Sequence, residues 1–576
     1  MSLSQNSQMD GTFSDSGPVP AHDPGAIAKC LVIVIVCCIC LVYLMRYEII
    51  NGFTVLPGDR YDGVISAAIL EHWSNVFSGR QNWSDVQYFF PYARTIAQTD
   101  GFFLVGVAYT PFRWLGFDPF ISQELANALV KASGFVGMHL FCRKLSARFR
   151  WALLAALLFT LSNSMTSHGS RYQLATVAFA PIMALLMWNA INALLYEDAR
   201  WFRIWSAAAG LFYGAWCMTC FYMAWSFCFF STAFTVAMLG IIGRRGTALL
   251  RSKIVSQLGS VLFAVCAALF ALIPFAYAYV PKALEVGVRQ WEAVSVNTVP
   301  IAGILQVGRG NVVFGTLYND IVEYLPRILR DYHGSPEHYN MGFAIPLFFF
   351  FICGSIFIFR RWTQLPSGVI LKSGTIATLV TWLFLLNVGG FSAWWFVYKL
   401  FPGARALNVV SVYQVMLALP VVAIAIRYIS LQRLRAPIGI FIASILIVSE
   451  FNRPYLALNR STELARMTIV NSPPSDCHVF YVSGWSGQET IPDSTDWLNN
   501  TYPHNVTAMI IAQQVGIPTI NGQASFNPPD WNFGYPHKSD YDQRVRAYAE
   551  KHHLTGLCQL DLNTKNWALA DFSPTH

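Results

Sequence analysis

The chain has 576 residues, of which 55% are hydrophobic, 15% aromatic and only 12% charged, with a formal net charge of +8 and a mean hydropathy of +0.42. A soluble globular domain carries about 25% charged residues, so this balance, with its many long apolar runs, excludes a soluble protein and predicts an α-helical polytopic membrane protein. The positive charge does not argue for nucleic acid, because no Lys/Arg tract interleaved with aromatics occurs; it fits basic residues at cytoplasmic helix ends and attraction to anionic lipid.

Residues 1–25 are polar and rich in Ser, Gly and Pro, and read as a disordered cytoplasmic tail. The apolar run from Ala26 to Met45 is too long for a signal peptide and lacks a small-residue cleavage site. It is read as a retained first span. Further spans are expected at 121–142, 151–166, 174–195, 204–220, 221–242, 256–281, 342–359, 368–388, 409–426 and 436–450, about eleven in all by the length rule. The stretch 204–242 is too long for one span and is divided near Cys220-Phe221-Tyr222.

One segment decides the threading. FFLVGVAYTPFRWLG (Phe102–Gly116) is apolar but short, and is interrupted by Pro111 and Arg113. Laid flat at the interface, as short amphipathic helices are, it leaves every short basic loop on one side. These loops carry Arg143 and Lys144, Arg148 and Arg150, Arg200 and Arg203, Arg244 and Arg245, Arg360 and Arg361, and Arg427 with Arg433 and Arg435. That is the positive-inside pattern. The N-terminus is then cytoplasmic and the C-terminus outside. A membrane domain over 26–450 carries outer segments at 46–120 and 282–341. Residues 451–576 form a small α/β domain on the outer face, with strand-like runs HVFYVSGW and AMIIAQQ and a helix-like DYDQRVRAYAEKHH. Short outward gaps are expected at 167–173, 219–222 and 389–408.

The first outer segment opens with GDRYDGVISAAILEHW (Gly58–Trp73). Val64, Ile65, Ala68, Ile69 and Trp73 suit a surface helix, and Asp59 and Asp62 stand at its start. Aspartate there caps helices, a contribution of about 1 kcal/mol. It is also where a carboxylate beside the bilayer would meet an acceptor hydroxyl and a lipid-linked donor, as a general base must. Glu71 and His72 follow on the same helix, either as substrate contacts or as its polar face. Asp100 opens the interfacial segment, as a cap or as a second carboxylate on the same cavity.

His168 and Arg171 lie in SMTSHGSRYQ, at the outer end of a helix pair. Arg171 either snorkels or holds an anionic phosphate. Arg405, in LFPGARALN, fits the phosphate role bidentately. The glycine-rich 282–341 segment, which includes Glu337-His338, reads as a lid over the cavity, with Glu337 either lining it or serving interfacial polarity. Ten of the 12 cysteines lie in or beside apolar runs; Cys477 and Cys558, outside the membrane, form a disulfide if their domain faces an oxidising compartment.

Four stretches together resemble the GT-C glycosyltransferase superfamily, which includes aminoarabinose transferases, protein O-mannosyltransferases and oligosaccharyltransferases, and in particular its bacterial O-antigen-modifying branch. They are GDRYDGVISAAILEHW, FFPYARTIAQTDGFFLVGVAYTPFRWLGFDPF, SMTSHGSRYQ and PTINGQASFNPPDW. The resemblance implies a bacterial inner-membrane enzyme that moves a sugar from a polyprenyl-phosphate donor to a cell-envelope glycan or lipid-linked acceptor, on the face away from the cytoplasm. It implies that Asp59, or failing it Asp62, is the base. Arg60, Glu71, His72, Tyr92, Arg94, Asp100, His168, Arg171, Glu337 and Arg405 would then line the substrate site. The spacing is Asp-x-x-Asp, not the strict Asp-x-Asp metal motif, so no metal ligand is assigned and no cofactor is firmly expected; a divalent cation remains an alternative. The rival readings are a transporter or lipid flippase, for which Lys131 inside a span speaks, and a non-enzymatic assembly protein whose aspartates only cap a helix.

Overall fold

A computed structural model describes residues 25–166, 171–330, 340–469, 471–484 and 497–570. Eight helical segments in it are long and apolar enough to cross a membrane: Ala26–Leu44, Pro119–Lys144, Tyr172–Leu195, Phe221–Ser256, Leu258–Val286, Ile345–Gln364, Gly368–Leu385 and Val410–Leu431. The other three expected spans are also helices. Phe149–Leu161 and Ala436–Ser449 are short, and Ala199–Cys217 carries polar residues at its start. The chain is therefore an integral membrane protein built as a helical bundle.

Local signals explain the helix boundaries. Asp118 caps the 119–144 helix by accepting from the Phe120 and Ile121 amides, and Pro119 follows at its first position. Asp198 caps the 199–217 helix in the same way. The break expected near Cys220 occurs: one helix ends at Cys217 and the next begins at Phe221. The Val410–Leu431 segment is buried along its length and forms the centre of the bundle, whereas Leu258–Val286 is mostly exposed, as a lipid-facing helix is.

Small residues set the helix spacing. Gly210 and Gly214 bring the 199–217 helix against Ala268 and Ala271 of the 258–286 helix. A Cβ on Gly214 would lie 2.2 Å from the Ala271 carbonyl oxygen. Gly134 meets Ala178 in the same manner. Close backbone approach of this kind is what holds helices together where lipid is as apolar as the side chains.

The Phe103–Trp114 helix has 12 residues, about 18 Å of rise, against the roughly 30 Å of a bilayer core. It packs on the Asp62–Phe77 helix, and Gly106 passes so close that a Cβ would meet Trp73 at 2.6 Å. Residues 63–75 of the 62–77 helix are all buried. It is thus an internal element, not a helix with one face in water.

The C-terminal region contains a three-stranded sheet. Val479–Ser483 pairs in parallel with Leu557–Asp561, which pairs antiparallel with Trp567–Leu569. With the Trp497–Val515 and Tyr541–Lys551 helices it makes the expected small α/β unit. AMIIAQQ, read as a strand, lies instead inside the Trp497–Val515 helix. Residues 500–513 of that helix are nearly all buried, so no polar face marked its helical period. Cys477 and Cys558 are disulfide-bonded, their Cα atoms 5.7 Å apart.

This unit is joined tightly to the first outer segment. Val55–Leu56 pairs with Leu458–Asn459, the Phe90 amide donates to the Thr519 carbonyl (3.0 Å), and Asn75 Nδ2 donates to the Gln513 carbonyl (2.9 Å). The segment expected as a lid is also tied down over its described residues. Val299–Pro300 joins a sheet with Leu386–Val388 and Phe391–Ser392, and the Gly342 and Phe343 amides donate to the Gln306 and Ile304 carbonyls.

Gly214→Ala is expected to destabilise the bundle by about 1–3 kcal/mol, because a backbone oxygen stands where the methyl must go. Gly240→Ala, with open space around it, is the matched control. Thermal midpoints in detergent, followed by fluorescence-detected size exclusion, should fall for the first and hold for the second.

Candidate functional site

At the top of the bundle, beneath the C-terminal unit, lies a polar cavity of about 340 Å³. Four charged side chains reach it: Asp62, Asp100, Arg171 and Arg289. Tyr222, Asn408 and Tyr502 add hydroxyl and amide groups, and Ser525 and Phe526 close one wall. Each of the three short outward gaps expected from the sequence supplies part of this wall, through Arg171, Tyr222 and Asn408.

Asp62 is the first residue of its helix, after Tyr61 at the cap position. Its side chain retains 40% of its surface exposed, so it is reachable from the cavity, and Arg171 Nε lies 3.5 Å from its Oδ2. Asp59 behaves differently. Its Oδ1 accepts from the Tyr61 amide (2.9 Å), a local turn contact, and it is not among the cavity-lining residues. Asp59 therefore braces the turn before the helix without capping it, and the carboxylate that reaches the cavity is Asp62, the second choice from sequence.

Asp100 does not cap the interfacial helix, whose cap position is Phe102 with φ 55°. It accepts from the Phe221 amide (2.9 Å) at the start of the 221–256 helix, where a helix N-terminus favours negative charge. Burial nonetheless pushes its carboxyl up to about 6. Its position is fixed from both sides: Tyr279 Oη donates to the Thr99 carbonyl (3.0 Å) and Trp73 Nε1 to the Gly101 carbonyl (2.6 Å).

Arg289 is the functional candidate that sequence reasoning missed. Its Nη2 donates to the Ser525 carbonyl, its guanidinium carbon lies 4.3 Å from the centre of the Phe526 ring, and its Nε is buried without a hydrogen-bond partner among the described residues. Asn408 Oδ1 is in the same situation, while the Asn408 amide donates to Tyr222 Oη (2.6 Å). The signal for Arg289 was present: it is the basic residue just beyond the outer end of a span, in GVRQ. Arg405, given that role from sequence, is exposed and outside the lining. It contributes through its backbone, whose carbonyl accepts from the Arg289 amide (3.0 Å).

Several other sequence candidates have structural partners away from the cavity. Glu71 is gripped by Arg113, Nε to Oε2 at 2.7 Å and Nη2 to Oε1 at 2.9 Å, and accepts from Tyr109 Oη at 2.6 Å. It fastens the 62–77 helix to the 103–114 helix. The fully buried His72 ring lies 2.7 Å from Gln81 Oε1 and 3.2 Å from the Trp83 carbonyl, and burial pushes its pKa down. Arg94 stands over the Tyr277 ring at 4.7 Å, its amide donating to Asp85. Tyr92 Oη donates to Asp530 (2.5 Å). Burial acts to raise the Asp530 carboxyl, but hydrogen bonds from Lys551, Tyr92 and His552 hold it down at about 2. Arg60 is near enough to His504 of the outer unit to disfavour its protonation. His168 and Glu337 lie outside the described residues.

The 497–515 helix brings Tyr502 to the cavity; burial, then the Asp62 charge, push its phenol up. Among the described residues no group of three or more His, Cys, Asp and Glu side chains is arranged to hold a metal ion.

No family model and no curated relative matches the chain. Among solved structures, the archaeal oligosaccharyltransferase AglB from Archaeoglobus fulgidus, in complex with an inhibitory peptide and a dolichol-phosphate, is similar over 92% of this chain and 69% of its own, at 13% identity and a TM-score of 0.43. A second structure of the oligosaccharyltransferase from that organism, in complex with Zn and sulfate, covers 91% and 67% at 14% identity and a TM-score of 0.41. A third, tethered to an acceptor peptide containing the NVT sequon, covers 90% and 68% at 13% identity and 0.43. Likeness at this level carries no weight on chemistry, which has to come from the residues of this chain.

The helix that carries Tyr502 also carries His504, whose ring is buried with Nε2 2.6 Å from the Phe533 carbonyl; burial pushes it down to about 4. Its contribution to stability is complete above its usual value near 6.5 and is lost as pH falls from there through 4, because the unfolded chain takes up the proton first. Asp100, raised to about 6, acts in the opposite sense, its contribution being lost as pH rises through 6. Between pH 7 and pH 5 the thermal midpoint of the native protein should therefore fall relative to that of His504→Gln, measured in parallel melts.

Proposed function

We propose that the chain is a GT-C type membrane glycosyltransferase. It moves a sugar from a polyprenyl-phosphate donor to a hydroxyl of a cell-envelope glycan or lipid-linked acceptor, on the non-cytoplasmic face of a bacterial inner membrane. The observation that carries this reading is the cavity itself: two carboxylates and two guanidiniums, walled by membrane helices on one side and the outer α/β unit on the other. A lipid-linked donor needs apolar surroundings for its chain and cations for its phosphate, and a hydroxyl acceptor needs a base within hydrogen-bond reach.

In this mechanism Asp62 takes the proton from the acceptor hydroxyl. The freed oxygen attacks the anomeric carbon, with inversion, and the bond from that carbon to the phosphate oxygen breaks. The electron pair leaves on the lipid phosphate. Arg289, with its buried unpartnered Nε, stabilises the charge gathering there. Arg171 orients Asp62 through their ion pair and stands on the path between base and phosphate. Asp100 and Tyr502 fix the sugar hydroxyls, and Tyr502 carries acceptor choice from the outer unit. A divalent cation, were one bound, would be held by Asp62 and Asp100 and would supply further positive charge for the phosphate.

The test uses membranes containing the protein and a radiolabelled polyprenyl-phosphate sugar. Asp62→Asn should lower transfer by about 100-fold or more, the range for loss of a general base, at unchanged expression. Arg289→Ala should lower it by a comparable factor. Asp59→Asn should keep transfer within a few-fold and leave stability within about 0.5 kcal/mol, because the Asn amide oxygen still accepts from the Tyr61 amide. Full transfer by Asp62→Asn would remove the base from this mechanism.

A further inference from the structure

Beneath the cavity, inside the bundle, lies a group of ionisable side chains that the proposed chemistry does not use. Arg46, Glu48, Glu124, Lys131 and Glu450 line a small enclosed space of about 50 Å³ near the outer ends of the 26–44 and 119–144 helices. Glu48 and Glu450 are each 2% exposed, and each has one carboxylate oxygen without a partner among the described residues. The charge felt most by Lys131 is that of Glu124, then that of Glu48. Ionisable groups at membrane depth are expensive and need a reason to be there.

Tyr172 supplies that reason. Its ring is buried, and its hydroxyl, with one proton to donate, stands between two oxygens on different elements. One is Glu124 Oε1 on the 119–144 helix. The other is the Pro57 carbonyl at 3.2 Å, in the turn five residues before Asp62. Tyr172 also follows Arg171 directly in the chain. One buried phenol therefore fixes the residue that pairs with Asp62 and the backbone that leads to Asp62. On its far side the same turn is held by the outer unit, through the Gly58 amide to the Tyr455 carbonyl (2.8 Å) and the Val55–Asn459 pairing.

From this geometry we infer that Tyr172 is a positioning residue. Anchored on Glu124 and the Lys131 group below, it sets the height and direction of the Asp62–Arg171 pair from within the membrane bundle. The part of this that concerns rate rests on the glycosyl-transfer reading; the part that concerns order of the turn does not. Lys131, which alone would suggest a transport pathway, is the half-buried counter-charge of the anchor. A displacement of a base by about 1 Å can cost 100-fold in rate, so loss of the phenol hydroxyl should act on turnover and not on substrate affinity.

The experiment compares the full-length protein with Tyr172→Phe in lipid nanodiscs, with two readouts. Amide hydrogen exchange of residues 58–62 should rise at least tenfold in the variant while exchange in the 410–431 helix is unchanged. Transfer of the labelled sugar should show kcat lowered tenfold or more with KM within twofold. Exchange at 58–62 equal to the native protein would overturn the inference, and so would a loss confined to KM. If Tyr172→Phe is not recovered as a folded monodisperse species, Glu124→Leu breaks the same anchor from below and is read by the same exchange criterion. A native protein that transfers no sugar would defeat the glycosyltransferase reading, while the exchange result would still decide this one.

Discussion

The contact between the 497–515 helix and the 62–77 helix is the constraint on which the site depends. The 62–77 helix carries the accessible carboxylate at its first residue, and it is enclosed on every side. The bundle lies below it, with Gln123 Nε2 donating to the Gly63 carbonyl at 3.5 Å. The 103–114 helix lies beside it, fastened through the Glu71–Arg113 pair. The 497–515 helix covers it and brings Tyr502 over Asp62. Because the helix is buried all round, it has no stable position without all three covers. The same burial that stabilises it also fixes where its first carboxylate stands.

The electrostatics of the cavity follow from this arrangement. Two acidic and two basic side chains make it neutral overall when all are charged, yet the charges are unevenly committed. Asp62 and Arg171 hold each other at 3.5 Å. Asp100 faces the amide end of a helix. Arg289 is stacked on Phe526 and bonded to a carbonyl, with no carboxylate in an ion pair with it among the described residues. The least compensated group is thus a cation, in a cavity that also holds the Asp62 carboxylate. A site with that imbalance favours an anion at the Arg289 end and a hydroxyl at the Asp62 end.

Much of this was legible in the sequence. Apolar runs gave the helical segments, and the helix boundary at Cys217–Phe221 was found from length alone. The short outward gaps marked the cavity wall because turns at one end of a bundle must converge. Other features were not legible for definable reasons. Asp59 and Asp62 are both plausible helix-start residues, and only the three-dimensional direction of the side chains separates them. Glu71 was read as a site residue because its partner Arg113 is 42 positions away, on an element whose packing the sequence does not specify. Arg289 does not stand out in the sequence because its glycine-rich segment reads as a lid, whereas strand pairing through Val299–Pro300 ties that segment to the bundle. AMIIAQQ lost its helical signature to burial on all sides.

The cavity wall runs from residue 62 to residue 526 in the chain. During biosynthesis the carboxylate end emerges early and the Phe526 wall last, hundreds of residues later. Until that last wall is made, the cavity stays open on one side. A chain cut short before Tyr502 keeps Asp62, Asp100, Arg171 and Arg289 but lacks the wall that closes over them.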